Sequence, residues 1–570
     1  MANLAIDAQK EMTFDAIVIG SGISGGWAAK ELCEKGLKTL VLERGRDVKH
    51  IEDYPTATKN PWDFQFGGKI PLEQQQEFGA RGARIQESTA HFWMKEKEQE
   101  TVLEKPFQWT RGYQVGGKSL LWARQTQRWS NYDFEGPARD GYAVDWPIRY
   151  KDLAPWYSHV EKFSGISGNR DGLPQLPDGE FLKPFDLSCV ERHFQKTLSA
   201  NYKDRHLIHG RCAHITAPEE IHREQGRAKC LNRNLCNRGC PLGGYFSSNA
   251  STLPWAEKTG NMTLRPNSVV HSIIYDEGQG KATGVRVIDS ETQQTSEYFA
   301  KIIFINASAL NSNLILLNST SSRFPNGLGN DNGLLGKYIS WHNYRGHISG
   351  RSEEFQDMMS TGKNPSHSYI PRFRNVFKQE TDFLRGYAVG FGSSSRAVQF
   401  SRGGIGEALK ANLFDRTLGP WWVSGWMQGE VIPIETNHVR LHESLKDKYG
   451  IPQLVLSCDW TENDDKMVLD YMAQMTEMFE KAGFTDISAR DSHSAPGSDI
   501  HEMGGVRMGL DPETSLLNKW NQLHSCKNVF VTDGACMTST ATQNPSLTYM
   551  AFTARAANFA VEELKKGTFD

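Results

Sequence analysis

The chain of 570 residues has no apolar run long enough to span a bilayer, so no transmembrane segment is expected. It has no surplus of either charge: 64 Lys and Arg stand against 67 Asp and Glu, a formal net charge of −3. Neither nucleic acid nor an acidic membrane surface is therefore expected as a partner. There is no internal repeat and no low-complexity segment. The stretch from Met1 to Thr13 has no basic region followed by an apolar core, so the chain is expected to carry no secretory signal of its own. Cysteine is scarce, and nine is an odd number, which does not suggest a disulfide framework. Six cysteines stand alone, as small buried apolar residues do. Aromatic residues are not scarce: 15 Trp and 17 Tyr serve either core packing or a sugar-binding surface. A composition 38% hydrophobic and 23% charged is that of an ordinary globular protein, long enough for three or four average domains.

The sharpest signal lies near the start. The apolar run Ile17-Val18-Ile19 leads into glycines at 20, 22 and 25; a helical stretch from Trp27 to Lys35 follows, closed by Gly36. A second apolar strand, Lys38 to Leu42, stops at Glu43. One glycine makes the turn, one lets the backbone approach a pyrophosphate, and one lets helix and strand pack closely. The unpaired N–H groups of the helix start face the phosphates, and an acid 23 residues after Gly20 is placed for a ribose hydroxyl. This is a dinucleotide-binding unit. A second glycine-rich turn, Gly116-Gly117-Lys118-Ser119, brings backbone N–H groups against a ring edge or a phosphate, or is an ordinary loop.

A loop and then a helix are expected over 145–160, with Leu153, Trp156, Tyr157 and Val160 on one face, and a further helix over 187–200. A hairpin is expected over 264–289, broken at Asp276-Glu-Gly-Gln-Gly. A buried parallel strand follows at 301–305 and a helix at 310–318. Short strands alternate with loops to about 429, where Trp421, Trp422 and Trp426 cluster with Gln428. Strands are expected over 431–441 and 453–460, and a long helix over 462–483. Near the end stand His501-Glu-Met-Gly-Gly, the strand Val529 to Thr532 running into Asp533-Gly534, and Asn544-Pro545 opening a helix to about Lys565, with Asn as cap and Pro in the first turn.

Three cysteines are grouped, Cys230-x5-Cys236-x3-Cys240-Pro. Three thiolates on a bent loop suit an iron–sulfur cluster with one uncapped corner. They also suit zinc with His214 or His222 as fourth ligand, or three structural thiols. The three readings stand open on the residues alone.

Taken together, these stretches resemble the glucose–methanol–choline (GMC) oxidoreductases, flavoproteins that oxidise alcohols. The resemblance is strongest over 14–46, 108–124, 240–310 and 500–563. It implies an α/β fold, with a Rossmann-like FAD domain and an α+β substrate domain whose sheet is mainly antiparallel. It implies FAD, with Gly20, Gly22, Gly25, Glu43 and Arg44 at the ADP half and Val270 by the adenine. Gly116, Gly117 and Ser119 are then by the ring, and Asp533 with Gly534 by the pyrophosphate or ribityl chain. The family's catalytic pair falls on His501 and Asn544, the latter followed by Pro545; other members have His at the second position. His501 takes the hydroxyl proton while hydride passes to flavin N5, and Asn544 orients the alcohol but cannot act as base. Covalent attachment in some members uses a His near the second glycine turn; none stands there, so non-covalent FAD is expected. Trp426 and Gln428 are expected at the substrate.

The cysteine run resembles that of bacterial sugar dehydrogenase catalytic subunits of this family. It implies a [3Fe-4S] cluster on Cys230, Cys236 and Cys240, passing electrons to a cytochrome or quinone. It also implies a possible small partner subunit carrying the export signal, so the expected location is cytoplasmic, or periplasmic if exported with that partner. The expected division is 1–139, 229–319 and 491–570 for FAD, with 140–228 and 320–490 for substrate. The expected activity is oxidation of a sugar or glycoside secondary hydroxyl, with glucoside 3-dehydrogenases the nearest fit. The alternatives are a pyranose-type oxidase using O2, another GMC alcohol or polyol dehydrogenase, an NAD-binding dehydrogenase, and a non-catalytic electron-transfer or binding subunit.

Overall fold

β1 (Thr13–Ile19) runs into the glycine turn and α1 (Ile23–Glu34), and β2 (Thr39–Leu42) returns parallel beside β1. The computed structural model describes residues 13–359, 365–394, 404–415 and 418–569. α1 starts four residues before the expected Trp27, and Gly25 and Gly26 sit in its first turn, where a side chain would strike neighbouring backbone or side-chain atoms. At Gly25 an added Cβ would lie 1.9 Å from the Gly20 carbonyl oxygen, so helix and turn can approach this closely only through glycine.

The first sheet has seven strands. β1 pairs in parallel with β2 and with Thr295–Ile305, and β2 pairs in parallel with Met262–Arg265. The hairpin Ser268–Asp276 with Lys281–Asp289 extends the sheet antiparallel through Thr295–Ile305. Val529–Val531, from the far end of the chain, pairs in parallel with Ile303–Ile305. Alternation sends Ala16 and Val18 toward Ala28, Ala29 and Leu32 of α1 and Ala556, Ala557 and Ala560 of the C-terminal helix Ser546–Lys565. The helix Tyr150–Ser164 packs on this first layer: Trp27 and Phe163 meet edge-on at 5.3 Å, and Tyr157 shares a hydrogen bond with Thr548 at 2.8 Å. Leu153, Tyr157 and Val160 are buried as expected, and Trp156 is partly buried.

The second sheet has six strands, all antiparallel. Its order is Ser368–Ile370, Tyr387–Ser394, Trp421–Glu430, Gly346–Ser352, Thr485–Asp491, with His342–Asn343 beside the end of Trp421–Glu430. The helix Glu462–Lys481 lies on it, burying Met467, Val468, Tyr471, Met475 and Phe479 against Ile348, Val423 and Met427. Phe194 of the helix Cys189–Asn201 packs on Phe391 of the same sheet, ring centroids 4.6 Å apart. A third sheet joins His438–Lys446, Pro452–Ser457 and Thr101–Leu103. The architecture is α/β with an antiparallel second sheet.

Two sequence expectations need correction. The strand expected over 431–441 is broken: Trp421–Glu430 ends before it and the next strand starts at His438. Pro433 lies in the gap, and a proline cannot donate to a ladder. The three tryptophans of 421–426 do not cluster. Strand alternation buries Trp421 in the core, and Trp422 lies outside, stacked under Arg351 at 4.6 Å. No described helix is long and apolar enough to cross a membrane.

Candidate active site

A cavity of about 840 Å³ lies between the two main sheets. That is near the upper end of the roughly 300–1,000 Å³ typical of cofactor and small-molecule sites. One end is backbone. Gly20 (φ +96°), Gly22 and Gly117 (φ +49°) line it, and a Cβ on Gly117 would meet Gly22 Cα at 3.4 Å, so the two glycine turns touch. Ser21 ties them: its hydroxyl accepts from Gly116 N at 3.0 Å and donates to Glu43 Oε2 at 2.6 Å. Burial pushes the Glu43 carboxyl up, opposed by hydrogen bonds from Ser21 and Gly45. Arg44 lines this end with its guanidinium over the ring of Tyr113 at 4.9 Å, and Val270 lines it too. Gly25 and Gly116 do not reach the cavity; Gly25 supports the turn from behind, and Gly116 turns the chain at φ +86° with Asn249 against it.

Farther in, Ser119 lines the wall and holds its turn, donating to Gly116 O at 2.5 Å and accepting from Ser248 N at 3.0 Å. Asp533 and Gly534 line the same stretch. Asp533 accepts from Ser312 Oγ at 2.5 Å and Ala535 N at 2.9 Å, and burial raises its carboxyl to about 6. Asn544, Pro545 and Ser546 bring the start of the C-terminal helix to the cavity. The cap differs from expectation. Pro545 occupies the cap position with no side-chain bond, because the Asn544 amide is engaged elsewhere.

It is engaged with His501. Asn544 Nδ2 lies 3.3 Å from His501 Nε2, and His501 Nδ1 lies 2.9 Å from Nδ1 of His342. His342 Nε2 in turn contacts the carbonyl of Ala541. Asp499 Oδ2 accepts from the His342 backbone N–H at 2.8 Å and lies 3.4 Å from Nδ1 of both imidazoles. His342 and Asp499 are fully buried, while the His501 side chain is 19% exposed and faces the cavity. Burial pushes His501 below the ordinary histidine value, with Asp499 opposing. Burial would raise Asp499, but the two histidines outweigh it and hold the carboxyl well below the usual range. Backbone fixes this loop: Ile500 is held at φ +63°, unusual for a β-branched residue, and Ser340 and Met503 exchange N–H···O bonds of 2.9 and 2.8 Å.

A carbonyl can only accept, so His342 Nε2 carries a proton toward Ala541 O, and its Nδ1 can accept from His501 Nδ1. His501 then donates from Nδ1 and presents an unprotonated Nε2 to the cavity. The arrangement can take a proton from a hydroxyl seated against both His501 and Asn544, and Asp499 compensates the charge that results.

Trp426 and Gln428 line the wall beyond, Trp426 edge-on to His367 at 4.5 Å. The sequence reading missed His342, Asp499, Arg81, Arg84, Tyr344, His347 and Arg490, all but His342 on the wall. No spacing marks His342 or Asp499; only the fold brings them to His501.

Cys230, Cys236 and Cys240 are free, half-buried and not on the cavity wall. Cys236 Sγ lies 3.6 Å from His214 Nε2. His222 is not available as a ligand, since Nδ1 accepts from Glu219 N and Nε2 meets Lys162 O, each at 3.1 Å. Burial pushes the Cys230 thiol to about 11, helped by its two neighbours. Among the described residues, the one group of three His, Cys, Asp or Glu ligand atoms within 4.8 Å of one another is His342, Asp499 and His501. The thiols are therefore not gathered for a single tetrahedral ion. One residue separates the thiol loop from the cavity: Arg124 lines the wall and donates to Asn237 Oδ1, beside Cys236, at 3.1 Å.

Sequence models of the GMC oxidoreductase family match residues 15–342 and 433–553, and the chain belongs to that family of flavoenzymes acting on alcohols and sugars. A 2-methyl-1,2-propanediol dehydrogenase of Mycolicibacterium austroafricanum is 28% identical, over 96% of this chain and 94% of its own. The fructose dehydrogenase large subunit of Gluconobacter japonicus is 25% identical, over 98% and 100%. Among solved structures, an Aspergillus oryzae formate oxidase, studied for modification of its FAD, superposes with TM-score 0.61 at 13% identity, covering 98% and 100%. The cofactor is FAD. The cavity fits it: glycine backbone lines one end, and Asn306 Oδ1 and Tyr549 Oη are buried atoms of lining residues with no protein partner.

Proposed function

We propose that this chain is a dehydrogenase that oxidises a secondary hydroxyl of a sugar or glycoside to a ketone, with His501 as base and Asn544 orienting the hydroxyl. The observation that carries this reading is the placement of His501, whose Nε2 faces the cavity 3.3 Å from the Asn544 amide while its Nδ1 lies 2.9 Å from His342, itself against the carbonyl of Ala541. Bound FAD supplies the hydride acceptor. Gly20, Gly22, Glu43, Arg44 and Val270 would hold its nucleotide half; Gly117, Ser119, Asp533, Gly534 and Pro545 would hold the rest, with Gly25 and Gly116 shaping the turns. The start of the C-terminal helix directs unpaired N–H groups and a positive dipole end at the same place, which favours negative charge there. His342 is a positioning residue: it fixes the tautomer of His501.

A sugar is favoured over a simpler alcohol by the wall. An indole ring suits the apolar face of a pyranose, and the free Gln428 amide nitrogen suits a hydroxyl. Carbon 3 of a glucoside is the narrowest part of the reading and rests on resemblance to glucoside 3-dehydrogenases. The division into FAD and substrate segments is supported by the first sheet drawing on 13–42, 262–305 and 529–531, and the second on 342–352, 368–394, 421–430 and 485–491.

The same proposal gives Cys230, Cys236 and Cys240 to a [3Fe-4S] cluster, which would supply one-electron transfer toward a cytochrome or quinone. Its support is three free thiols on one loop, a single residue from the cavity. The fructose enzyme among the relatives is a large subunit, which supports a small partner subunit here. The test is anaerobic titration of the purified protein with a glucoside panel, followed at the flavin band, with the product identified by NMR. Bleaching and a 3-keto product uphold the reading; a flavin that no sugar bleaches overturns it. Rapid reoxidation by air would make the protein an oxidase. Absence of iron and sulfide from anaerobic preparations would remove the cluster.

A further inference from the structure

The His501 end of the cavity carries more positive charge than proton removal needs. Arg81, Arg84 and Arg490 line it, with His347 beside them. Arg490 and His347 are direct partners on the antiparallel strands Thr485–Asp491 and Gly346–Ser352, so their side chains share one face. Tyr344 packs edge-on against His347 at 5.7 Å and lines the same wall. Arg81 fixes the location, because its Nη2 donates to the carbonyl of Ser498 at 3.3 Å, the residue before Asp499. Arg84 and Arg490 are exposed at the mouth.

The charges are not internally balanced. Elsewhere on this sheet the arginines are paired: Arg345 with Asp465 and Asp491, and Arg351 with Asp486. Among the described residues no carboxylate forms an ion pair with Arg84 or Arg490. Of the acids nearby, Asp491 is held by Arg345, Asp499 by the two histidines, and Glu502 by Lys118 at 3.3 Å. Burial and the charges of Arg490 and Arg84 push His347 below its ordinary value, leaving it a neutral hydrogen-bond donor. The phosphates of the cofactor do not explain the cluster. Their cradle is the glycine turn and the start of α1, grouped with Glu43, Arg44 and Val270 at the other end of the same cavity. A cleft lined by unpaired charge of one sign concentrates ligands of the other.

We propose that Arg84, Arg490 and His347 form an oxyanion subsite beside the reaction end, with Arg81 adding to its field. The oxidised alcohol then carries a carboxylate or phosphate away from the reacting hydroxyl, as in a uronic acid, an aldonic acid or a sugar phosphate. This rests on the reading of the cavity as a flavin and sugar site, and it narrows the substrate class.

The test is calorimetric titration of the FAD-loaded enzyme with glucuronate, gluconate, glucose 6-phosphate and methyl glucoside, in the wild type and in R84Q/R490Q. Two charge-assisted contacts correspond to about tenfold or more in affinity. At least one anion is expected to bind about tenfold more tightly than methyl glucoside, and higher salt is expected to weaken that binding. In the double variant the ratio of anion to neutral affinity is expected to fall toward one, while the flavin spectrum reports a folded, loaded enzyme. The carboxylate and phosphate arms identify the oxyanion. Equal affinity for anions and methyl glucoside overturns the subsite, and so does loss of FAD from the variant, which would assign the arginines to the cofactor. Flavin bleaching is read separately. Neutral sugars that bleach without any anion preference overturn the subsite and leave the dehydrogenase standing. Anions that bind without bleaching, when no neutral sugar bleaches either, uphold the subsite and overturn the dehydrogenase.

Discussion

The nucleotide end and the reaction end of one cavity are built by different means. At the nucleotide end the backbone acts. Gly20 and Gly25 are glycines because Asn306 O and Gly20 O leave no room for a Cβ, and strand, turn, helix and acid fall within residues 13–43. At the reaction end side chains act, and they come from remote places: His342 from the second sheet, Asp499 and His501 from a strained loop, Asn544 from the start of the last helix. One end depends on local geometry and the other on tertiary assembly, so substitutions at the two ends should fail differently.

The largest effect is expected from His501→Ala. Turnover should fall by about 10³-fold, within the range of general base catalysis, while FAD stays bound. Anaerobic flavin reduction rates beside the FAD-to-protein ratio check this; normal turnover at neutral pH would remove the base assignment. Gly20→Ala should do the reverse. A Cβ placed 2.4 Å from Asn306 O, at φ +96°, should cost about 2–4 kcal/mol and empty the protein of flavin. Full flavin occupancy there would dissolve the contrast between the ends. His342→Ala should lower turnover by about 10²-fold with FAD retained, since it frees the tautomer of His501 without removing the imidazole.

The sequence made the nucleotide end legible because its determinants are contiguous. A strand period, three glycines and an acid can be read in line, and the structure places Gly20, Gly22 and Glu43 together on the wall. His501 and Asn544 were found only through motif resemblance. His342 and Asp499 were not found, since Trp341-His-Asn and Ser498-Asp-Ile carry no spacing that reports a contact 159 residues apart. Asn544 before Pro545 read as a helix cap, and its local preference yields here to a partner 43 residues away. The tryptophans at 421, 422 and 426 read as one cluster because composition does not record strand alternation.

Smaller effects sharpen the comparison. Burial disfavours the charged form of His501, so the active, unprotonated base should persist below the ordinary histidine value of 6.5. The acid limb of kcat/KM should therefore lie below that pH, with rate lost as pH falls through it. Asp499→Asn removes the carboxylate that opposes the shift and should move the limb further toward acid. Smallest of all, Trp426→Ala should raise KM by about tenfold, the scale of one lost aromatic contact, and Trp422→Ala should leave it unchanged. Equal effects at the two positions would mean that the wall has been misread.

The most direct measurement is a crystal structure of the FAD-loaded enzyme. The ADP half is expected against Gly20, Gly22 and Glu43, and the reactive ring within about 5 Å of His501 Nε2 and the Asn544 amide, close enough for a hydroxyl to sit between them. A ring bound away from His501, with the imidazole facing only protein, would contradict the account.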